Sequence, residues 1–270
     1  MVNIFCTNAV GGPQKVISNL IKGLNLINVP YELNNLKYEK TICINAPHNN
    51  LPDDCFMGPN LFVVPSQNEA LCNKHKNFIV PSEWVKNLYE GFPIMNNKNI
   101  FVYPSGIDTE LFNISKNRKR QCVIYCKNTS DEIINKTKKK VSEYGYEYKT
   151  ITYGSYNEDE YKKIIDESEF AVFLTNTESQ GIAYLEMLST NTPCYILEKD
   201  VWDDMPHIKC PASSAPYFSE ECGIKHTSFE LFDVFIKNLN NYKPRKYVLS
   251  NFKLEDAATK LLNILYKEQT

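Results

Sequence analysis

Residues 170–197 read FAVFLTNTESQGIAYLEMLSTNTPCYIL. An apolar run at 170–175 leads into a polar loop, then into a segment at 182–189 that opens after Gly181, and Pro193 precedes a second apolar run at 194–197. Short apolar runs bounded by turn residues predict buried strands, and the segment between these two predicts a helix. The stretch therefore predicts one strand–helix–strand unit of a parallel sheet.

The chain before this unit repeats the same alternation. Apolar runs at 122–126 and 146–152 predict two more strands, and segments 131–143 and 158–167 predict the helices that follow them. Thr129 with Glu132, and Asn157 with Glu160, place a capping side chain three residues before an acidic one, which marks a helix start. Such alternation predicts a parallel sheet with crossover helices.

The first half of the chain has a similar pattern. A strand is predicted at 2–6, followed by a loop with Gly11 and Gly12 and by a helix that starts at Pro13, where a missing N–H costs nothing. Three apolar runs, at 61–64, 77–80 and 100–103, each end near Pro-Ser and predict strands that a proline terminates. The exits of parallel strands share one edge, where open α/β sheets bind ligands.

These patterns predict an α/β fold of two Rossmann-like lobes, each with a parallel sheet and flanking helices. The basic stretch 113–120 interrupts the pattern and is interpreted as a solvated linker. We therefore expect an N-terminal lobe at 1–112 and a C-terminal lobe at 113–252. An amphipathic closing helix at 253–270 would dock on the core, with the N-terminal lobe as one available surface.

Composition excludes several classes of protein. The 270 residues carry 30 Lys and Arg against 32 Asp and Glu, so no global positive field favours nucleic acid. No apolar run approaches the roughly 20 residues of a membrane span, although contact with a membrane surface stays open. The nine cysteines lack metal-ligand spacing and are expected to be free thiols. We therefore expect a cytoplasmic protein with no nucleic-acid partner.

Two glutamates in the opening stretch carry the predicted chemistry. Glu178 lies in the loop after a strand, and Glu186 lies within the following helix. The first N–H groups of a helix have no intrahelical partner, so those of Gln180, Gly181 and Ile182 form a candidate diphosphate site. Glu186 could accept hydrogen bonds from the vicinal hydroxyls of a ribose, while Glu178 would flank the sugar, and the neighbouring Ser179 is a further donor-binding candidate.

This segment resembles the E-x7-E signature of the retaining glycosyltransferases of family 4. Three other stretches resemble the family as well: 103–112 its "NGVDxxxF" crossing between lobes, 78–85 the strand-to-helix step before that crossing, and 11–13 its glycine-rich first loop. The resemblance implies a GT-B fold with the nucleotide on the second lobe and the acceptor on the first. By position, Glu178 would contact the transferred sugar, Glu186 the ribose, and Gly12 the phosphates, and Gly11 beside it is a further donor-binding candidate.

The resemblance also implies a metal-independent, retaining hexosyltransferase. A UDP- or GDP-linked sugar would be the co-substrate, no cofactor would be needed, and a glycan, lipid or protein would be the acceptor. No Asp-x-Asp motif is present to chelate a metal. The family holds the leaving diphosphate with an Arg and a Lys, whereas here Lys127 stands in the first place and no Lys follows at the usual interval. Lys127 is therefore the candidate diphosphate clamp.

The acceptor side is less defined by the sequence. His48 follows a predicted strand of the first lobe and is the candidate catalytic residue there, while Asp53 and Asp54 would be bases in an inverting alternative. Two other functions stay open. A non-catalytic module could bind sugar nucleotides or a protein, as a first lobe short for the family would favour. A GT-B-fold sugar-nucleotide epimerase would need acids and histidines clustered for proton abstraction, and the chain has only 4 His.

Overall fold

A computed structural model of the protein describes residues 1–7, 9–37 and 40–266. The chain forms two compact units. The first comprises Met1–Gly106 together with the chain from Phe252 onward, and the second comprises Ile107–Asn251. The sequence predicted boundaries after residues 112 and 252. Gly106 belongs to the first unit because the Asn19 side chain donates to its carbonyl at 2.8 Å. Phe112 belongs to the second because its carbonyl accepts from Ser189 Oγ at 2.7 Å.

Strands and helices alternate through most of the chain. The strands are β1 (Val2–Cys6), β2 (Tyr31–Leu33), β3 (Thr41–Ile44), β4 (Phe56–Met57), β5 (Asn77–Val80), β6 (Asn99–Val102), β7 (Lys119–Lys127), β8 (Glu147–Thr152), β9 (Ser168–Thr175), β10 (Cys194–Leu197), β11 (Val201–Met205), β12 (Ile208–Pro211) and β13 (Gly223–His226). The helices are α1 (Gly12–Leu26), α2 (Glu69–Lys74), α3 (Glu83–Glu90), α4 (Asp131–Glu143), α5 (Glu158–Asp166), α6 (Ile182–Ser189), α7 (Phe232–Lys237), α8 (Pro244–Asn251) and α9 (Leu254–Tyr266).

The first unit is built on a parallel six-stranded sheet. Its strand order is β2-β1-β3-β4-β5-β6, and every described pairing in it is parallel. The predicted closing helix exists as α9 and packs on α1. At Gly23 of α1 an added Cβ would lie 2.4 Å from the Leu254 carbonyl oxygen, so this helix contact needs a glycine.

One predicted strand of this unit, at 61–64, is wrong. The chain there is irregular, and the short strand β4 lies earlier, at Phe56–Met57. The N–H of Val63 donates to the side chain of Gln67 at 2.8 Å instead of to a neighbouring strand, and the Val63 side chain is 54% exposed. A local side-chain hydrogen bond has thus replaced the sheet ladder that the apolar run predicted.

The second unit is built on a parallel five-stranded sheet in the order β13-β10-β9-β7-β8. The predicted alternation of strands and helices from residue 122 to 197 is confirmed. Asn157 caps α5 by accepting from Glu160 N at 2.8 Å, as predicted. The cap of α4 is Ser130 rather than Thr129, whose hydroxyl donates to the Leu174 carbonyl of β9 instead. The antiparallel pair β11–β12 forms a separate ribbon.

The part of the core that packs on one face of this sheet is rich in aromatic residues. Tyr195 and Phe170 project from the strands to meet Phe232 and Phe235 of α7, with ring centroids 5.2–6.2 Å apart. Edge-on aromatic pairs of this kind stabilise beyond the area that they bury. In the residues that the structure describes, no helix is both long and apolar enough to cross a membrane.

Candidate functional site

The centre of the second sheet positions the predicted glutamates. β9 lies between β10 and β7, and Lys127, the last residue of β7, is paired with Thr175, the last residue of β9. Residues 176–181, here named the glutamate loop, follow β9 and lead into α6. Parallel strands end at the same edge, so the lysine and the glutamate loop emerge side by side.

Lys127 and Glu178 form an ion pair at this edge, in which Glu178 is buried and Lys127 is partly exposed. The Lys127 Nζ atom lies 3.0 Å from both Oε1 and Oε2 of Glu178. Glu178 is only 8% exposed, and this burial raises the pKa of its carboxyl above the ordinary value, although Lys127 acts in the opposite direction. The structure therefore brings together the predicted sugar-facing acid and the predicted diphosphate clamp, with their charges matched to each other.

Two tyrosines, Tyr153 and Tyr125, lie near this pair, and neither was predicted as a site residue from the sequence. The Lys127 ammonium lies 4.8 Å from the centroid of the Tyr153 ring, which is 47% exposed. Tyr125 stacks on Phe173 at 4.5 Å, and its pKa is raised by burial and by hydrogen bonding to Tyr156. Tyr153 immediately follows a predicted strand, so the strand-exit rule that selected Lys127 could also have found it.

Gly181 fixes the turn between the glutamate loop and α6. Its φ of 79° is in the left-handed region, and an added Cβ would lie 1.9 Å from Cε1 of Tyr184. The Tyr184 hydroxyl donates to the Gln180 carbonyl at 3.3 Å and accepts from Tyr217 N at 2.9 Å. As the N-cap residue of α6, Gly181 has no side chain with which to cap the helix.

Glu186 lies one turn into α6 and is 5% exposed. Burial raises the pKa of Tyr161, and the negative charge of the Glu186 carboxylate raises it further, so the two groups are close. The Tyr161 hydroxyl donates to the Ala183 carbonyl at 2.7 Å and holds α5 against α6. Glu186 and Glu178 therefore stand on one short segment but in different surroundings, one beside a tyrosine and one beside a lysine.

Two arginines anchor the far end of α6. The Arg245 Nη1 atom donates to the Ser189 carbonyl at 2.6 Å, and Arg118 donates to the Thr190 carbonyl. Cations at a helix C-terminus satisfy its last carbonyls and complement its dipole. Arg118 also bonds the Ser168 carbonyl at the start of β9. The stretch 113–120 was predicted to be a solvated linker, but Lys119 and Arg120 begin β7, and Arg120, like Arg118, is structural, since it donates to the carbonyls of Tyr144 and Gly145 at 2.8 and 2.9 Å.

A second segment lies against the glutamate loop. Residues 212–217, with the sequence Ala-Ser-Ser-Ala-Pro-Tyr, are here named the serine segment. Glu178 N donates to the Ser213 carbonyl at 2.9 Å, and Ser214 Oγ donates to the carbonyl of Thr175, where β9 ends, at 3.2 Å. No sequence pattern predicts a function for this segment or the ribbon β11–β12 that precedes it.

The candidates of the first unit lie on loops after two neighbouring strands. Gly11, with φ of 61°, precedes α1, and a Cβ added to Gly12 would meet no atom within 4 Å. His48 is exposed after β3, with its Nδ1 accepting from Asn50 N at 3.1 Å. A hydrogen bond from Asn45 to the Thr7 carbonyl joins the two loops. Gly11, Gly12 and His48 therefore share one sheet edge of their own unit.

The inverting candidates, Asp53 and Asp54, differ in their surroundings from His48. The Asp53 side chain is 82% exposed and pairs with Lys74 at 3.5 Å, while its carbonyl and that of Asp54 accept from His75 and Asn77. Within residues 1–7, 9–37 and 40–266, no group of three or more His, Cys, Asp or Glu side chains could hold a metal ion.

No protein-family model matches the sequence, and no curated protein matches it. Solved structures match it in fold. The lipopolysaccharide outer core galactosyltransferase WaaB, in its apo form, superposes with a TM-score of 0.55 and 12% identity over 98% of this chain and 99% of that chain. The fold is that of the GT-B glycosyltransferases.

Two further GT-B structures are similar. A variant of TarM from S. aureus, solved with fondaparinux, alpha-GlcNAc-glycerol and UDP, gives a TM-score of 0.54 and 12% identity over 93% of this chain. This chain spans 59% of the length of that TarM chain. A glycosyltransferase from Rickettsia africae gives a TM-score of 0.54 at 11% identity, covering 96% of this chain and 83% of that one. At such identities the likeness concerns the fold.

Proposed function

We propose that this protein is a glycosyltransferase that moves a sugar from a nucleoside-diphosphate donor to an acceptor hydroxyl. The observation that carries the proposal is the Lys127–Glu178 pair, which lies at the ligand-binding edge of a GT-B sheet and next to the start of α6. UDP in the TarM structure supports a UDP- or GDP-linked donor. Fold alone does not define activity, so the site carries the argument.

The chemistry requires positive charge where the diphosphate leaves. Glycosyl transfer passes through an oxocarbenium-like state, and the departing diphosphate gains negative charge as the bond breaks. Lys127 and the N–H groups at the start of α6, around Ser179, Gln180, Gly181 and Ile182, would stabilise that charge. Glu186 would bind the ribose from within α6.

Glu178 would change partner when the donor binds. Its pKa is already raised by burial, and an arriving diphosphate adds negative charge that favours the protonated carboxyl further. The carboxyl could then donate a hydrogen bond to the sugar, while Lys127 turns to the diphosphate. One lysine thus serves both states of the site, in place of the Arg and Lys pair of family 4.

The finer assignments follow the resemblance to the retaining enzymes of family 4. We assign the acceptor to the sheet edge of the first unit, beside His48, and we assign no metal or cofactor to the reaction. The nine free thiols, seven of them buried, fit a reducing cytoplasm. The acceptor would be a glycan, a lipid or a protein, and a lipid acceptor would bring the enzyme to a membrane surface.

A donor panel tests this function. The protein is incubated with UDP- and GDP-sugars, with and without simple sugar acceptors, and release of the nucleoside diphosphate is measured. We expect release with one donor class, and NMR of the product should show that the anomeric configuration of the donor is retained. Nucleotide binding without release would indicate the non-catalytic module instead, and interconversion of the donor sugar without nucleotide release would indicate an epimerase.

A further inference from the structure

Glu198 and Lys225 form a second ion pair close to the site, on the other side of the serine segment. Glu198 directly follows β10, and Lys225 lies in β13, which pairs with β10. Lys225 Nζ lies 3.4 Å from Glu198 Oε1, and the Glu198 side chain is 10% exposed. Nothing in the proposed transfer chemistry uses this pair.

Both members of the pair hold the serine segment. Lys225 Nζ donates to Ser213 Oγ at 3.1 Å and to the Ala215 carbonyl at 3.3 Å. Glu198 Oε2 accepts from Ser214 N at 3.0 Å. Ser214 itself is fully buried, and its Oγ also accepts from Lys199 N at 2.8 Å. The backbone of the serine segment is therefore fixed by a buried acid and a lysine together.

The serine segment in turn holds the glutamate loop at three points. Ser214 Oγ binds the carbonyl of Thr175, where the loop departs from β9, and the Ser213 carbonyl binds Glu178 N. Tyr217 N binds the Tyr184 hydroxyl, which also contacts the Gln180 carbonyl at the end of the loop. The backbone on both sides of Glu178 is thus tied to one segment, whereas its side chain reaches Lys127.

We infer that Glu198 and Lys225 are positioning residues that act through the serine segment to hold Glu178 against Lys127. They touch neither the donor nor the reacting atoms, and their effect is on the geometry of the Lys127–Glu178 pair. For its catalytic consequence the inference rests on the proposed function, but the ion-pair geometry can be measured without any turnover. A shift of about 1 Å in a site of this kind costs on the order of 100-fold in rate.

Competitive trace acetylation of lysines tests this inference. Acetic anhydride is used at a level that labels less than one lysine per molecule, and mass spectrometry compares Lys127 with the exposed Lys237 as internal reference. An ammonium held by a carboxylate reacts slowly. Glu178→Gln removes this carboxylate and should therefore raise the labelling of Lys127 relative to Lys237. The value in this variant is the highest labelling expected from loss of the ion pair.

Glu198→Gln, Lys225→Met and Ser213→Ala should each raise Lys127 labelling toward the value in Glu178→Gln, by about threefold or more, as expected for the loss of one supporting hydrogen bond. Lys225→Arg keeps a cationic hydrogen-bond donor at position 225, and its Lys127 labelling should equal that of the wild type. Ser213→Ala leaves the backbone and both charges intact, so it decides the question if Lys225→Met fails to fold. Lys127 labelling at the wild-type level in folded Ser213→Ala and Lys225→Met would overturn the inference.

Activity separates this inference from the proposed function. If the protein transfers sugar, the same variants should lower kcat by about tenfold or more with little change in the KM for the donor, because they disturb the geometry of Glu178 rather than nucleotide binding. If no donor is turned over, the proposed function fails, whereas the labelling result still decides whether Glu198 and Lys225 position the pair.

Discussion

Lys127 Nζ lies 3.0 Å from both carboxylate oxygens of Glu178, at adjoining strand ends of the second sheet. A buried carboxylate that loses its paired cation is left in a poor environment for charge, and breaking such a pair costs about 3–5 kcal/mol when both members are fully buried. Because Lys127 is 27% exposed at its side chain, the lower end of that range applies. The pair is therefore both a structural element and the centre of the proposed site.

The two glutamates should separate binding from turnover. Glu178→Ala should not weaken the affinity for UDP or GDP, since its assigned contact is with the sugar and its loss frees Lys127 for the diphosphate. Glu186→Ala should weaken nucleotide binding by about 10- to 100-fold, the value of hydrogen bonds to a charged group. Isothermal titration calorimetry with the free nucleotides measures both. Reversed effects, or none, would show that the roles of the two residues are assigned wrongly.

The raised pKa of Glu178 predicts the sign of a pH dependence. Between its unfolded value of 4.5 and its raised folded value, the folded state binds more protons than the unfolded state. The wild-type protein should therefore lose stability relative to Glu178→Gln as the pH rises above 4.5, by at most about 1.4 kcal/mol per pH unit. Urea unfolding, followed by Trp202 fluorescence in a Trp84→Phe background, measures the second unit. A difference that is constant with pH would contradict the shift.

Gly181→Ala should destabilise the second unit strongly. An alanine at this position would have a positive φ, and its Cβ would lie 1.9 Å from Cε1 of Tyr184. Gly154→Ala is the matched control, because Gly154 also has a positive φ, of 81°, but no atom within 4 Å of an added Cβ. We expect the free energy of unfolding to fall by about 1–2 kcal/mol in the control, because of backbone strain. It should fall by about 1–3 kcal/mol more in Gly181→Ala, because of overpacking. Equal losses would show that Tyr184 can move aside.

Arg245→Met should also lower the stability of the second unit. It removes donors from the Ser189 carbonyl at the end of α6 and from the Thr109 carbonyl. Hydrogen bonds to charged groups contribute about 1.5–3 kcal/mol, so a loss of about 2 kcal/mol is expected in urea unfolding. Lys246→Met, which removes a 71% exposed lysine one residue later, should cost less than about 1 kcal/mol. Losses of similar size in the two variants would contradict the anchoring role of Arg245.

Much of the fold could be predicted from local sequence. The strands and helices from residue 122 to 197 follow from apolar periodicity and turn residues, because each element is decided by its own few residues. The edge that carries Lys127 and Glu178 follows from the rule that parallel strands end together. The strand predicted at 61–64 failed because one side chain, Gln67, provides the hydrogen bonds that a neighbouring strand would have provided.

Strand order and the serine segment could not be predicted. That β7 lies directly beside β9, and so places Lys127 next to Glu178, depends on pairing between residues about fifty positions apart, which no local pattern encodes. Ser213 and Ser214 are polar residues in a loop and would be assigned to solvent. Their burial depends on hydrogen bonds with residues distant in the sequence, among them Glu198 and Lys225.

The most direct measurement of the central claim is the rate of nucleoside-diphosphate release from the best donor by three proteins. These are the wild type, Glu178→Gln, and Asp233→Asn, which replaces an exposed carboxylate in the same unit that also pairs with a lysine. We predict turnover by the wild type and by Asp233→Asn, and a loss of about 100-fold or more in Glu178→Gln. Undiminished release by Glu178→Gln, or no release by the wild type from any UDP- or GDP-sugar, would contradict a glycosyltransferase centred on Lys127 and Glu178.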